Sequence, residues 1–103
     1  MVRVIRNSDV KRIVAFIPPK HKHVRLYIEF NDEKLVFQEA TINAILRAYI
    51  NVAFHPIRKA VELRLKRLST RKSGYAEYQN LETNKTDEEI LLELDKLLSS
   101  LQL

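Results

Sequence analysis

Apolar and polar positions alternate through the first 38 residues and then change period. Val24-Arg-Leu-Tyr-Ile-Glu-Phe30 is the cleanest alternation: Val24, Leu26, Ile28 and Phe30 fall on one face, and Arg25, Tyr27 and Glu29 on the other. Val10–Ile17 is β-branched and aromatic and stops at Pro18-Pro19. The polar turn Asn31-Asp32-Glu33 leads into Lys34–Gln38, and Val2–Arg6 is a possible extra strand before the turn Asn7-Ser8-Asp9. These segments predict an antiparallel meander of three to four strands.

From residue 40 the period becomes helical. Ile42, Ile45, Leu46, Tyr49, Ala53, Ile57, Ala60 and Val61 recur at three- and four-residue steps, with Ile50, Phe54, Leu65 and Leu68 widening the stripe. A polar line of Arg47, Asn51, His55, Arg58, Glu62 and Lys66 runs opposite. The pattern predicts one long helix over Ala40–Leu68, kinked near Val52–Phe54 by Pro56, with a break into two helices at His55-Pro56 as the alternative. Residues 69–85 are polar and aperiodic and read as a linker or an ordered excursion. Thr86-Asp-Glu-Glu89 carries a capping-box signature. Behind it Ile90, Leu91, Leu94, Leu97, Leu98 and Leu101 form two adjoining heptad seams, 90-94-97-101 and 91-94-98-101.

The expected fold class is therefore α+β: a small antiparallel meander cradling one long kinked helix, plus a short leucine-rich C-terminal helix. The expected organisation is a basic sheet-and-helix domain over 1–72, a linker over 73–85 and an oligomerisation helix over 86–103. A double seam buries a wider stripe than a dimer needs and points to a tetramer. Deletion of Asp87–Leu103 is expected to leave a folded but smaller assembly.

Charge sharpens the picture. Residues 1–72 hold 16 basic and 6 acidic side chains, and residues 73–103 hold 2 basic and 7 acidic. A balance of +10 followed by −5 points to polyanion binding by the first part. With Ile13, Ala15 and Ile17 in the core phase, Arg12 and Phe16 turn to the same open face as Arg25 and Tyr27. Aromatic rings that stack bases beside arginines that hold phosphates are the components of sequence-tolerant single-strand binding. Lys20 and Lys22 in a loop, and Arg47, Arg58 and Lys66 along the helix, form a second basic surface, which Arg64, Arg67, Arg71 and Lys72 extend. No recognition helix, zinc finger or RNA-recognition signature accompanies them.

Other chemistry is poorly represented. The chain has no cysteine, which excludes disulfides, thiolate metal sites and cysteine nucleophiles, and its single glycine excludes Gly-rich phosphate loops. His21 and His23 sit among lysines that would oppose a metal cation, and no nucleophile motif surrounds the serines, threonines or tyrosines. No enzyme activity, cofactor or metal is expected. No apolar run approaches membrane-spanning length and no signal-peptide pattern opens the chain, so a cytoplasmic protein without membrane partners is expected.

The order of segments carries a resemblance. Val24–Phe30 and Lys34–Gln38 lead into Ala40–Leu68, and Thr86–Leu103 closes the chain. In this order the sequence resembles the ThermoDBP-related family of archaeal single-stranded-DNA-binding proteins, across its whole length but without a short diagnostic motif. The resemblance implies a small sheet and long helix that bind single-stranded DNA, and a zipper helix that assembles dimers or tetramers. It carries over no individual binding residue. The abundance of Ile, Leu, Lys and Arg suits a thermophile. A second, shorter likeness covers Lys34–Asn51, where a strand leads into a helix bearing Leu46-Arg47-Ala48. That stretch is similar to the small dimerisation subunit of the tRNA threonylcarbamoyladenosine complex, and implies a scaffold with no direct DNA role.

Overall fold

The computed structural model describes residues 2–68 and 77–101. Over these residues the fold is α+β, with two antiparallel sheets and two helices. Strands β1 (Val10–Phe16), β2 (Arg25–Phe30) and β3 (Lys34–Gln38) form the first sheet in the order β1-β2-β3. Helix α1 (Glu39–Ala53) follows without a loop. Strands β4 (Leu63–Arg67) and β5 (Tyr78–Glu82) form a two-stranded ribbon, and helix α2 spans Asp87–Leu98. The chain divides into two compact units, the first holding the residues up to Asn43 together with Ser100 and Leu101, and the second Ala44–Ser99.

The meander forms as its alternation predicts, with three strands. Val2–Arg6 joins no strand. Its Arg3 guanidinium instead pairs with Asp32 and Glu33 in the β2–β3 turn and lies 5.8 Å from the Phe30 ring centroid. Phe30 is the buried residue of this unit. The β1–β2 connection is tightened at Pro18-Pro19-Lys20-His21, where the His21 N–H donates to the Pro18 carbonyl at 3.0 Å. Lys20 holds φ 66°, the left-handed value that the third position of a type II turn requires and that glycine usually supplies.

The long helix over Ala40–Leu68 is not formed: α1 stops at Ala53, ahead of Pro56, where a mere kink would have left it continuous. Pro56 lacks an N–H and disfavours helical geometry at His55, so the last N–H groups close on Ile50 and Val52 carbonyls and the helix ends. The His55 ring then holds the turn beyond it. Its Nδ1 accepts the N–H groups of Ile57 and Arg58, at 3.2 and 2.9 Å. No second helix forms over 57–68 either. Val61, Leu63 and Leu65 alternate with Glu62, Arg64 and Lys66, a period of two that suits a strand once β5 is present to pair with it. The expected 73–85 linker supplies that partner: Tyr78–Glu82 is β5, with Arg67 opposite Tyr78 and Leu63 opposite Glu82. Residues 73–76 of the linker, with Arg71 and Lys72, lie outside the described residues.

Helix α2 begins as its capping box predicts. The Thr86 hydroxyl accepts the Glu89 N–H at 3.3 Å, and the Glu89 carboxylate accepts the Thr86 N–H at 3.4 Å. It is not a free appendage, however. Ile90 is 5% exposed and, with Ala60, forms the buried apolar centre of the second unit. The Asp87 carboxylate accepts the Lys59 N–H at 2.6 Å, and the Lys85 ammonium bridges Glu62 and Glu93. Among the described residues no helix is long and apolar enough to cross a membrane.

Candidate nucleic-acid interface

Strand register decides which side chains share a face, because directly opposed residues in an antiparallel pair point the same way. In the first sheet Phe16 opposes Arg25 and Arg25 opposes Gln38; Val14 opposes Tyr27 and Tyr27 opposes Val36; Arg12 opposes Glu29 and Glu29 opposes Lys34. These nine residues form a three-by-three patch on one face. Arg12, Phe16, Arg25 and Tyr27, singled out from alternation, all fall within it. Ile13, Ala15, Leu26, Ile28, Leu35 and Phe37 occupy the other face. A shift of register between Val10 and Arg12 sets this phase, since one extra residue there inverts the faces of everything beyond it.

Polar contacts hold the middle of the patch. The Arg12 guanidinium lies 5.9 Å from the Tyr27 ring centroid, in cation–π range. The Tyr27 hydroxyl donates to the Glu29 carboxylate at 2.6 Å. That bond pushes the Tyr27 hydroxyl above its ordinary pKa, because the ionised phenol would face a carboxylate. The same bond holds Glu29 below the usual carboxylate range, helped by Lys34, Arg12 and Lys11. Arg25 folds over the chain, donating to the His23 and Val24 carbonyls at 3.3 Å. At the strand-to-helix junction the Val24 N–H donates to Glu39 at 2.6 Å, which depresses the Glu39 pKa, with His23 beside it.

The register adds three residues that alternation on separate strands did not single out. Lys34, Val36 and Gln38 complete the patch on β3. Their signal was the alternation of β3, which becomes informative once its pairing with β2 is known. With Arg12, Arg25 and Lys34 against Glu29, the patch carries a net positive charge. Phe16 and Val36 leave apolar surface open beside it.

The second basic surface is not a helix face. Lys20 and Lys22 lie exposed in the β1–β2 connection of the first unit. In the second unit Arg47 is on α1, Arg58 follows the His55 turn and Lys66 is on β4. Two of these are committed inside the unit. Arg47 donates to the Asn80 carbonyl at 2.6 Å, and Arg58 pairs with the Glu82 carboxylate while also donating to the Ala60 carbonyl. They tie their segments to β5. Arg64 and Arg67 are likewise paired, with Glu62 and Glu77. Arg64 is the main reason Glu62 stays below the usual carboxylate range.

The two leucine seams fare differently. Ile90 is withdrawn into its own unit, so the 90-94-97-101 seam loses its first residue, and both seams lose Leu101, because α2 ends at Leu98 and Leu101 is grouped with the first unit. Leu91, Leu94 and Leu97 are exposed, while Leu98 and Leu101 are half-buried. Tyr49 and Val52 of α1 with Leu91 and Leu94 of α2 line an apolar groove of about 450 Å³. Among the described residues no group of three or more metal-ligating side chains converges. No family model, curated protein or solved structure matches this chain.

Proposed function

We propose that the chain is a non-catalytic binder of single-stranded nucleic acid, DNA being the expected strand, that works as a homo-oligomer. The observation that carries the reading is the β1–β2–β3 patch in which Arg12 covers Tyr27, with Phe16 and Arg25 in the neighbouring row. Two rings within one basic patch supply stacking surfaces for bases and cations for phosphates, a combination that tolerates any sequence. Lys20 and Lys22 add charge at the strand end from which Arg25 starts. Arg47 and Arg58 form no part of this patch, because both belong to the second unit, where they bond to β5.

Oligomerisation through α2 rests on Leu91, Leu94, Leu97 and Leu98. Leu91, Leu94 and Leu97 hold large apolar surface in water on a helix whose first turn is already capped. The remaining seam is narrower than the pair read from the sequence and fits a two-helix contact. A second reading, a scaffold subunit without a DNA role, is favoured by the exposed apolar side chains of α1, Ile45, Leu46, Tyr49 and Ile50.

The test is a salt series of binding to fluorescent single-stranded and duplex oligonucleotides. Single-strand affinity that falls steeply with salt, and exceeds duplex affinity, supports the reading. Absence of binding at about 50 mM salt transfers the assignment to the scaffold.

A further inference from the structure

We propose that β1 is an edge at which two copies of this chain join. In that contact Arg12–Phe16 of one copy pairs antiparallel with the same segment of a second copy, centred on Val14, so that two three-stranded sheets become one of six strands.

The strand order β1-β2-β3 leaves the outer side of β1 unpaired among the described residues. An open edge is a template for another strand, and proteins usually blunt it with charge, proline or a bulge. β1 carries such devices only at its limits. The irregularity between Val10 and Arg12 sits at one end, with Lys11 inside it, and Pro18-Pro19 lies beyond the other. Between them Arg12–Phe16 is regular, contains no proline or acidic residue, and leaves Ile13 62% exposed, with Phe16 and Ile17 also open. The other edges differ. β3 exposes Val36 as its one large apolar side chain and runs straight into α1. β4 carries Arg64, Lys66 and Arg67 within five residues.

The five-residue segment is self-complementary. Centred on Val14, it sets Arg12 against the second copy's Phe16, Ile13 against the second copy's Ala15, and Val14 against its own counterpart. A cation meets an aromatic ring, a large side chain meets a small one, and no like charges oppose. Centring on Arg12 would oppose two guanidiniums, and centring on Ile13 would draw the irregular end into the ladder. A twofold axis perpendicular to the sheet keeps faces together. The patch bearing Arg12, Phe16, Arg25 and Tyr27 would therefore continue unbroken into its copy. The inference stands on the sheet edge and does not require the nucleic-acid reading, and its test reads assembly alone.

Because the chain has no cysteine, a single introduced thiol reports one position. Opposed Cα atoms lie about 4.5–5.5 Å apart in an antiparallel pair, within disulfide reach. Under mild oxidation, Val14→Cys is expected to form a covalent dimer at least tenfold faster than the loop control Lys22→Cys. Ile13→Cys chains are expected to link to Ala15→Cys chains and not to each other, since two copies of position 13 would sit more than about 7 Å apart. In sedimentation, Phe16→Lys, which opposes a lysine to the second copy's Arg12, is expected to halve the assembly mass while circular dichroism is retained. The proposal is overturned if Val14→Cys links no faster than the control, if Ile13→Cys links to itself more readily than to Ala15→Cys, or if Phe16→Lys leaves the mass unchanged.

Discussion

Arg12 and Tyr27 meet diagonally across β1 and β2, the guanidinium carbon 5.9 Å from the ring centroid, while Glu29 holds the hydroxyl of the same ring at 2.6 Å. One tyrosine is thus fixed at its face by a cation and at its tip by a carboxylate. The two restraints separate experimentally. Tyr27→Phe keeps the ring and its guanidinium and should retain most single-strand affinity. It also removes the hydrogen bond that leads the depression of Glu29, so the Glu29 carboxyl, followed by NMR titration, should move back up. Tyr27→Ala should weaken binding roughly 5- to 150-fold at unchanged salt slope, because stacking releases no counterions. A loss of slope in Tyr27→Ala would show that the ring acts by positioning Arg12.

Arg12→Ala and Arg25→Ala should each lower affinity and flatten the dependence of log affinity on log salt by about 0.7 for every phosphate no longer held. Arg47→Ala should leave the slope unchanged, since Arg47 lies in the second unit, outside the patch, and bonds the Asn80 carbonyl there. It should instead lower the melting temperature. Equal slopes for all three variants would place the phosphates elsewhere.

Ile90→Ala should destabilise the chain by about 2–5 kcal/mol, the range for a buried aliphatic side chain cut to alanine. Thr86→Ala should cost about 1 kcal/mol through loss of the cap. Deletion of Asp87–Leu103 removes Ile90 together with the Asp87 acceptor for the Lys59 N–H, and should unfold the second unit rather than merely shrink the assembly. Leu97→Lys, at a position 60% exposed, should reduce the assembly with little change in thermal stability. Its effect on binding should be larger for a long oligonucleotide than for a very short one, because linked sites act by avidity.

Stability should be flat from about pH 5 to about pH 10 and fall on both sides. Glu39, Glu62 and Glu29 have depressed pKa values, from the Val24 N–H, from Arg64 and from the Tyr27 hydroxyl respectively. Each binds its proton more weakly when folded, so its contribution is present above the ordinary carboxylate pKa and is lost as pH falls through the folded value. Lys85, raised first by Glu93, and Tyr27, raised first by Glu29, behave oppositely. Their contributions are present below their unfolded values and are lost as pH rises through the folded ones. Denaturant titrations across pH test both limbs. In Glu39→Gln the acid limb should become shallower.

Lys20→Gly should raise stability by about 0.5–1 kcal/mol, because glycine takes the left-handed turn position without the Cβ clash. The same change should weaken single-strand binding if the loop lysine contacts phosphate. Gain of stability with unaltered binding would remove Lys20 from the interface.

Several features were determined by the sequence alone, because each depends on near neighbours. The alternation of Val24–Phe30 and Lys34–Gln38, the turn at Asn31–Glu33 and the Thr86–Glu89 capping box are set by steric and hydrogen-bonding preferences within a few residues. All three formed as read. Arg12, Phe16, Arg25 and Tyr27 do share one face, but the expected core phase of Ile13, Ala15 and Ile17 did not form, all three being exposed on an edge strand; pairing register set the faces and joined Lys34, Val36 and Gln38 to them. Tertiary structure decided the rest. Ile57–Leu68 satisfies a helical period and a strand period at once, and local spacing cannot choose between them. The choice was made by a partner: β5, from a stretch too polar to read as a strand, supplies the ladder hydrogen bonds that Leu63–Arg67 needs. The proline at 56 had already removed the helix that would have competed. In the same way Ile90 and Leu94 look alike along α2. Only tertiary packing buries Ile90 and leaves Leu94, which lines the same groove as Ala60, 41% exposed, and only the carboxylate of Glu82 and the carbonyl of Asn80 make Arg58 and Arg47 ties to β5.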